Sequence, residues 1–303
     1  MSDSPSSPSF KERAIVAFVK VCACLPLWLS RSLGSGMGWM SYICRNSLYR
    51  VTRENLELCF PAMADAERHQ LTRASLIETG KLMFETGAVW VRDVTWSKSK
   101  IQSVHNRHIL DDALAQGKGV VLLAPHLGNW EVLGLYLSEV PGAMFMYQPP
   151  EIEELERIIR EGREKAGATL APTNRRGVLA ILKAMKQGGF TGILPDQVPD
   201  ASGGEFAPFY GVPALTMTLV NSLRERSGCN IIAAYAERVT GGFEIHFVSA
   251  DERIYSEDTL TALTGLNKTV EKCVDAIPAQ YQWEYKRFRK QPEGMPKLYK
   301  KKK

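Results

Sequence analysis

Apolar positions divide this chain into an apolar N-terminal stretch, a group of helices, and an alternation of short strands with helices. The clearest strand is Val120-Val121-Leu122-Leu123-Ala124. It is apolar at every position, as expected of a parallel strand covered on both faces. It stops at Pro125, and a helix carrying Val132, Leu133, Leu135 and Leu137 starts after Asn129. Further strands are expected at 143–147, 169–171, 190–194, 230–237 and 243–249. Helices are expected at 151–165, 178–186, 215–227 and 259–279, and 198–213 reads as a Gly- and Pro-rich loop. Upstream, a short helix from Arg53 is stopped by Pro61. A long helix opens at Ala64 or Asp65 and runs to about Trp90, with Leu71, Leu76, Leu82, Met83 and Ala88 at helical spacing. Asn106 caps another, which ends at Gly117. The alternation predicts an α/β fold with a largely parallel central sheet and flanking helices. His126 then falls at the carboxyl end of the 120–124 strand, the edge where open α/β sheets bind ligands.

Before this domain, residues 1–10 are rich in Ser and Pro and read as a flexible start. The apolar run from Ala14 to Leu29 is interrupted by Lys20 and Pro26, and a confident spanning helix needs about 20 apolar residues. No small-residue cleavage site comes after it. Residues 11–50 are expected to form a helical membrane anchor that dips into the bilayer or spans it marginally. Gly34-Ser35-Gly36-Met37-Gly38 would be the turn of a hairpin lying against lipid. Arg31, Arg45, Arg50 and Arg53 come after the run with no acid between Arg31 and Arg53, which favours a cytoplasmic location for the rest of the chain. The expected catalytic domain covers 51–292, and a basic tail, 293–303, ends in Lys300–Lys303.

Composition adds exclusions. With 45% hydrophobic and 23% charged residues, the chain is an ordinary globular one. A net charge of +5 is too mild for a nucleic-acid binder, and its concentration at the two ends suits an anionic membrane surface. The six cysteines form no spaced pair of ligand type, so free thiols are expected, with neither a disulfide nor a zinc site. His69, His105, His108 and His246 have no carboxylate at catalytic spacing and are expected in surface or strand roles.

The chemistry concentrates at Pro125-His126-Leu127-Gly128-Asn129-Trp130-Glu131. A neutral imidazole is the natural general base for a hydroxyl, and it needs a partner that fixes its tautomer. A His on the turn before a helix can fold back over a carboxylate in the first turn, while the helix N–H groups suit an oxyanion. In the plainer alternative, His126 merely caps the helix. The spacing His-x4-Glu is the signature of glycerolipid acyltransferases. The whole block resembles one branch, the late acyltransferases of lipid A biosynthesis (lauroyl and myristoyl transferases). Arg53-Glu54-Asn55-Leu56, Arg176-Gly177, Gly192-Ile193-Leu194-Pro195-Asp196-Gln197, Pro208 to Ala214, Glu237-Arg238 and Tyr281 to Phe288 extend the resemblance over roughly 11–292. One position departs: the family usually has Tyr-Arg-Pro where this chain has Tyr147-Gln148-Pro149.

The resemblance implies a glycerolipid acyltransferase-like fold on the inner membrane, with the catalytic domain on the cytoplasmic side. It implies acyl transfer from an acyl carrier protein thioester to a hydroxyl of a lipid A precursor, with no cofactor and no metal. His126 would be the base and Glu131 its orienting carboxylate. Arg176, or Arg175 in its place, would contact an acceptor phosphate, or else be a solvated arginine. Asp196 and Gln197, ending a strand at the same sheet edge as His126, would stand behind the groups that touch substrate, contact the acceptor, or cap a helix, and Asn129 and Tyr147 would complete the substrate site. Arg238 would meet a phosphate or be a sheet-edge charge. Phe209, Gly211 and Pro213 would line an acyl groove or simply pack a loop. Another glycolipid or phospholipid acceptor, and a noncatalytic lipid-binding protein of the same fold, remain open alternatives. A serine hydrolase is disfavoured, because no Gly-x-Ser-x-Gly elbow is present.

Overall fold

The computed structural model describes residues 9–299. Most of the Ser/Pro-rich start and the Lys300–Lys303 run lie outside the described residues. Five helices come first: α1 (Phe10–Cys24), α2 (Leu27–Ile43), α3 (Ser47–Cys59), α4 (Asp65–Val91) and α5 (Val94–Ser99). The α/β part then runs β1 (Ile101–His105), α6 (His108–Ala115), β2 (Val120–Leu123), α7 (Trp130–Leu137), β3 (Met144–Tyr147), α8 (Glu153–Glu164), β4 (Thr169–Pro172), α9 (Arg175–Lys186) and β5 (Phe190–Ile193). It closes with β6 (Gly204–Phe209), β7 (Val212–Met217), α10 (Leu219–Ser227), β8 (Asn230–Val239), β9 (Gly242–Ser249) and α11 (Thr259–Ala276).

The main sheet has the order β1-β9-β8-β2-β5. β8, β2 and β5 are parallel; β9 is antiparallel to β8, and β1 is parallel to β9. The sheet is therefore mixed, with one antiparallel junction in an otherwise parallel arrangement. The parallel pair β3–β4 continues it past β5 through a bridge between Ala143 and Phe190. Alternate residues of β2 enter opposite cores. Val121 and Leu123 pack with Ile181, Met185, Leu223 and Leu266, while Val120 and Leu122 pack with Leu110, Val132 and Leu133. Both faces of β2 are covered, which accounts for its unbroken apolar run.

The N-terminal region differs from expectation. Among the described residues no helix is long and apolar enough to cross a membrane, so a spanning anchor finds no support. Gly34 and Gly38 are not a turn but lie inside α2. With Ser30 they recur every four residues on its buried face, against α4. The backbones touch there: a Cβ on Gly34 would come within 2.4 Å of Gly80 O, and one on Gly80 within 2.0 Å of Gly34 O. The glycines thus serve a close helix crossing. Phe10, Val21, Trp28, Trp39, Met40 and Ile43 remain exposed on α1 and α2.

The segment expected as a loop at 198–213 contains β6, and β7 is its hairpin partner, turning at Tyr210 and Gly211, both at positive φ. β1 and α5, which the apolar pattern did not suggest, precede α6.

Candidate active site at the carboxyl edge of the sheet

His126 comes after β2 on an extended segment threaded between two others. Gly128 N donates to Gln280 O and Asn129 N to Ala236 O, while Gln282 N donates to His126 O. Gly128 sits at φ +62°, where a Cβ would lie 1.9 Å from Ala236 O; only glycine passes there. Asn129 then caps α7, its Oδ1 accepting from Val132 N. This clamp fixes the His126 backbone.

Because β5 lies beside β2 in parallel register, the residues beyond its end reach His126. Asp196 accepts from His126 N at 2.9 Å and pairs with His126 Nδ1 at 2.8 Å. Gln197 Nε2 lies 3.1 Å from His126 Nε2, and the Trp130 ring meets the imidazole edge-on. Bonding to Asp196 assigns the proton to Nδ1 and leaves the Nε2 lone pair toward Gln197. Burial raises the Asp196 carboxyl, but the charge and hydrogen bonds of His126 outweigh it and hold the carboxyl below its ordinary value.

Glu131, the orienting carboxylate expected from the His-x4-Glu spacing, does not bond His126. It accepts instead from Arg163 on α8, at 2.6 Å from Nη2 and 3.1 Å from Nε. The first turn of α7 aims it at α8 rather than back over the imidazole. Burial works against its ionisation, yet the Arg163 charge and hydrogen bonds keep its pKa lowered, with a smaller contribution from His126. Glu131 therefore meets His126 only through space, with no hydrogen bond between them. Tyr147 is buried under the Arg163 guanidinium, and Gln148 is exposed.

Other expected site residues divide sharply. Arg175 and Arg176 are exposed in the first turn of α9, beyond the end of β4 and on the same sheet edge as His126. Arg238 is no surface phosphate contact. It is buried, pairs with Glu85 at 2.8 Å and Glu78 at 2.9 Å, and reaches Gly128 O. Asn129, fully buried, donates to the same Glu85. Both residues are buried beneath the His126 segment and bonded to one carboxylate. Phe209 lies in the core, with Arg287 over its ring; Gly211 is the hairpin turn, and Pro213 pairs with Pro208. Phe209 is thus a packing residue, while Gly211 is exposed at the turn and Pro213 half-buried beside it.

Sequence reasoning missed three groups. Glu85 is buried in α4 and binds Arg31, Arg238 and Asn129, joining α2, β8 and the α7 cap. Glu284, near His126 and bonded by Thr79, has its pKa pushed up to about 7 by burial. Arg163 carried no signal, as it sits in a charged helix among other arginines. Arg53-Glu54-Asn55 proves to be scaffolding: Asn55 donates to Trp283 O and Tyr285 O, and Glu54 accepts from Tyr299 N.

Comparison with known proteins adds an independent line. The model of the bacterial lipid A biosynthesis acyltransferases matches residues 9–290. The lipid A biosynthesis lauroyltransferase of Escherichia coli is 26% identical over 282 residues, covering 91% of this chain and 90% of that protein. The palmitoleoyltransferase of the same organism is 28% identical over 274 residues, covering 88% and 87%. A lipid A biosynthesis acyltransferase of Haemophilus influenzae is 27% identical over 295 residues, covering 94% and 92%.

Proposed function

Since the chain belongs to the bacterial lipid A biosynthesis acyltransferase family and is an acyltransferase acting in that pathway, we propose that it moves a fatty acyl chain from an acyl carrier protein thioester to a hydroxyl of a lipid A precursor, with His126 as general base. The observation that carries this reading is the His126–Asp196 pair, with Nε2 left as acceptor at the carboxyl edge of the sheet. An incoming hydroxyl would displace the Gln197 amide from Nε2 and give up its proton as its oxygen attacks the thioester carbonyl. The thiol of the carrier leaves with that proton. Asp196 holds the tautomer and offsets the imidazolium charge, as the buried carboxylate does in serine hydrolases. The Glu131 carboxylate, balanced by Arg163, adds a second negative field. The Trp130 and Glu131 N–H groups at the start of α7, outside the Asn129 cap on Val132 N, suit the thioester oxyanion. The exposed arginines 175 and 176 would receive an acceptor phosphate.

The enzyme would work at the cytoplasmic face of the inner membrane, held by the exposed apolar side chains of α1 and α2 in the bilayer interface rather than by a span. Transfer of radiolabelled acyl chains by purified protein tests the reaction. Wild type should transfer and His126→Ala should not; equal transfer by both, or none to any lipid A precursor, contradicts the reading. Lipid A from a deletion strain should lack one acyl chain by mass.

A further inference from the structure

Toward the β1 side of the sheet, strands β1, β9 and β8 gather a second polar cluster. β1 runs beside β9 with His105 next to His246. Across β9, His246 faces Tyr235 of β8 and Glu244 faces Glu237. Strand alternation sends Phe243, Ile245 and Phe247 into the core and turns Glu244 and His246 to the opposite face. The His105 and His246 rings stack at 4.5 Å, and Tyr235 stacks on His246 at 4.8 Å. His105 Nε2 is 2.9 Å from Glu244 Oε2, and His246 Nε2 is 3.0 Å from Glu237 Oε2. The second contact is close but out of line, so the buried His246 Nε2 has no hydrogen-bond partner. Donor atoms of His105, Glu244 and His246 all lie within 4.8 Å of one another.

We propose that His105, His246 and Glu244, with the Glu237 carboxylate as fourth ligand, form a site for a divalent metal ion of the zinc type. Two imidazoles and two carboxylates are a borderline donor set of the kind zinc accepts. Bonds of about 2.0–2.2 Å in a tetrahedron separate donors by roughly 3.4 Å, which small side-chain rotations reach from the observed spacing. With neutral imidazoles the two carboxylates leave two uncompensated negative charges in a partly buried place, and a divalent cation neutralises both. The ion would also give the unpartnered His246 nitrogen a ligand bond. The three strands contributing donors are β1, β9 and β8, so binding pins the edge strand β1 to the sheet. None of the four donor side chains hydrogen-bonds His126, Asp196 or Gln197, so the site is structural and acyl transfer stays at His126. Sequence spacing could not reveal it: only Glu244 and His246 are near neighbours, and the rest converge through strand pairing.

The test uses full-length protein without a polyhistidine tag, stripped with chelator and titrated with Co²⁺, then Zn²⁺. One Co²⁺ per chain should bind with the strong visible bands of four-coordination, and Zn²⁺ should displace it. Zn²⁺ should raise the thermal midpoint of wild type. His246→Ala, and His105→Gln with Glu244→Gln, should each weaken binding at least about tenfold and abolish that shift, while His69→Ala changes neither. Should His246→Ala fail to fold, the pair on the exposed edge decides. No saturable binding overturns the proposal, as the cluster is then two cross-strand His–Glu pairs. Binding that survives in the variants, or a cobalt spectrum with a thiolate charge-transfer band from exposed Cys24 or Cys44, overturns it equally.

Discussion

Two regions depart from the rule of apolar inside and polar outside, in opposite directions. Beneath His126 the charges are inside: Glu85 is wholly buried between Arg31 and Arg238, and Asp196 and Glu131 are nearly so. On α1 and α2 the large apolar side chains are outside, with Trp28 68% and Met40 58% exposed. Buried charge is costly, and each one here has a partner that holds a loop in place. Exposed apolar surface of this extent marks a contact with something apolar. One region spends stability on geometry, the other keeps a face for a second phase, and α4 joins them, since it carries Glu85 and packs α2.

The largest expected effect is on the chemistry of the first region. His126→Ala should lower kcat by about 10²–10⁴-fold with the fold intact, measured as acyl transfer alongside circular dichroism. Next comes the charge web. Glu85→Ala leaves the buried Arg238 and the half-buried Arg31 guanidinium without its carboxylate between them, and should cost about 3–5 kcal/mol in urea unfolding. A loss below about 1 kcal/mol would mean that the web does not hold the site.

Glu284 sharpens the comparison through pH. Its carboxyl binds its proton up to about pH 7 in the folded chain and only to its ordinary value when unfolded. The folded state therefore holds more protons in that window, so its contribution to stability falls as pH rises toward 7 and is flat above. The difference amounts to at most about 3 kcal/mol. Glu284→Gln should remove this slope, read as thermal midpoints from about pH 4.5 to 8; an unchanged slope contradicts the assignment. The smallest effect belongs to the apolar face. Trp28→Ser and Trp39→Ser should each weaken flotation with anionic vesicles roughly tenfold, about 1.5 kcal/mol per lost side chain, and leave urea stability unchanged.

Regions differ as much in how far the sequence discloses them. β2 was legible because both its faces are covered, which writes an unbroken apolar run. His126 was legible because a proline and a capping Asn bracket it. What failed was whatever depends on pairing across the chain. The carboxylate on Nδ1 comes from a neighbouring strand 70 positions away, and no spacing rule predicts it; the nearer Glu131 satisfied the spacing but met Arg163. Arg238 had the appearance of a ligand arginine until its partners on α4 came into view. The glycines of α2 look like a turn in one dimension and prove to be a packing face in three. At Gln148 the usual arginine is absent, and a guanidinium nonetheless stands at that strand end, supplied by Arg163 over Tyr147.

The central claim is that Asp196 holds the His126 tautomer for catalysis, and kcat of Asp196→Asn tests it most directly. The amide keeps the shape but loses the charge and the clear preference for a protonated Nδ1. The expected result is a fall in kcat of about 10²–10⁴-fold, with KM nearly unchanged and the thermal midpoint within a few degrees of wild type. Asp196→Asn turning over within about threefold of wild type would contradict it.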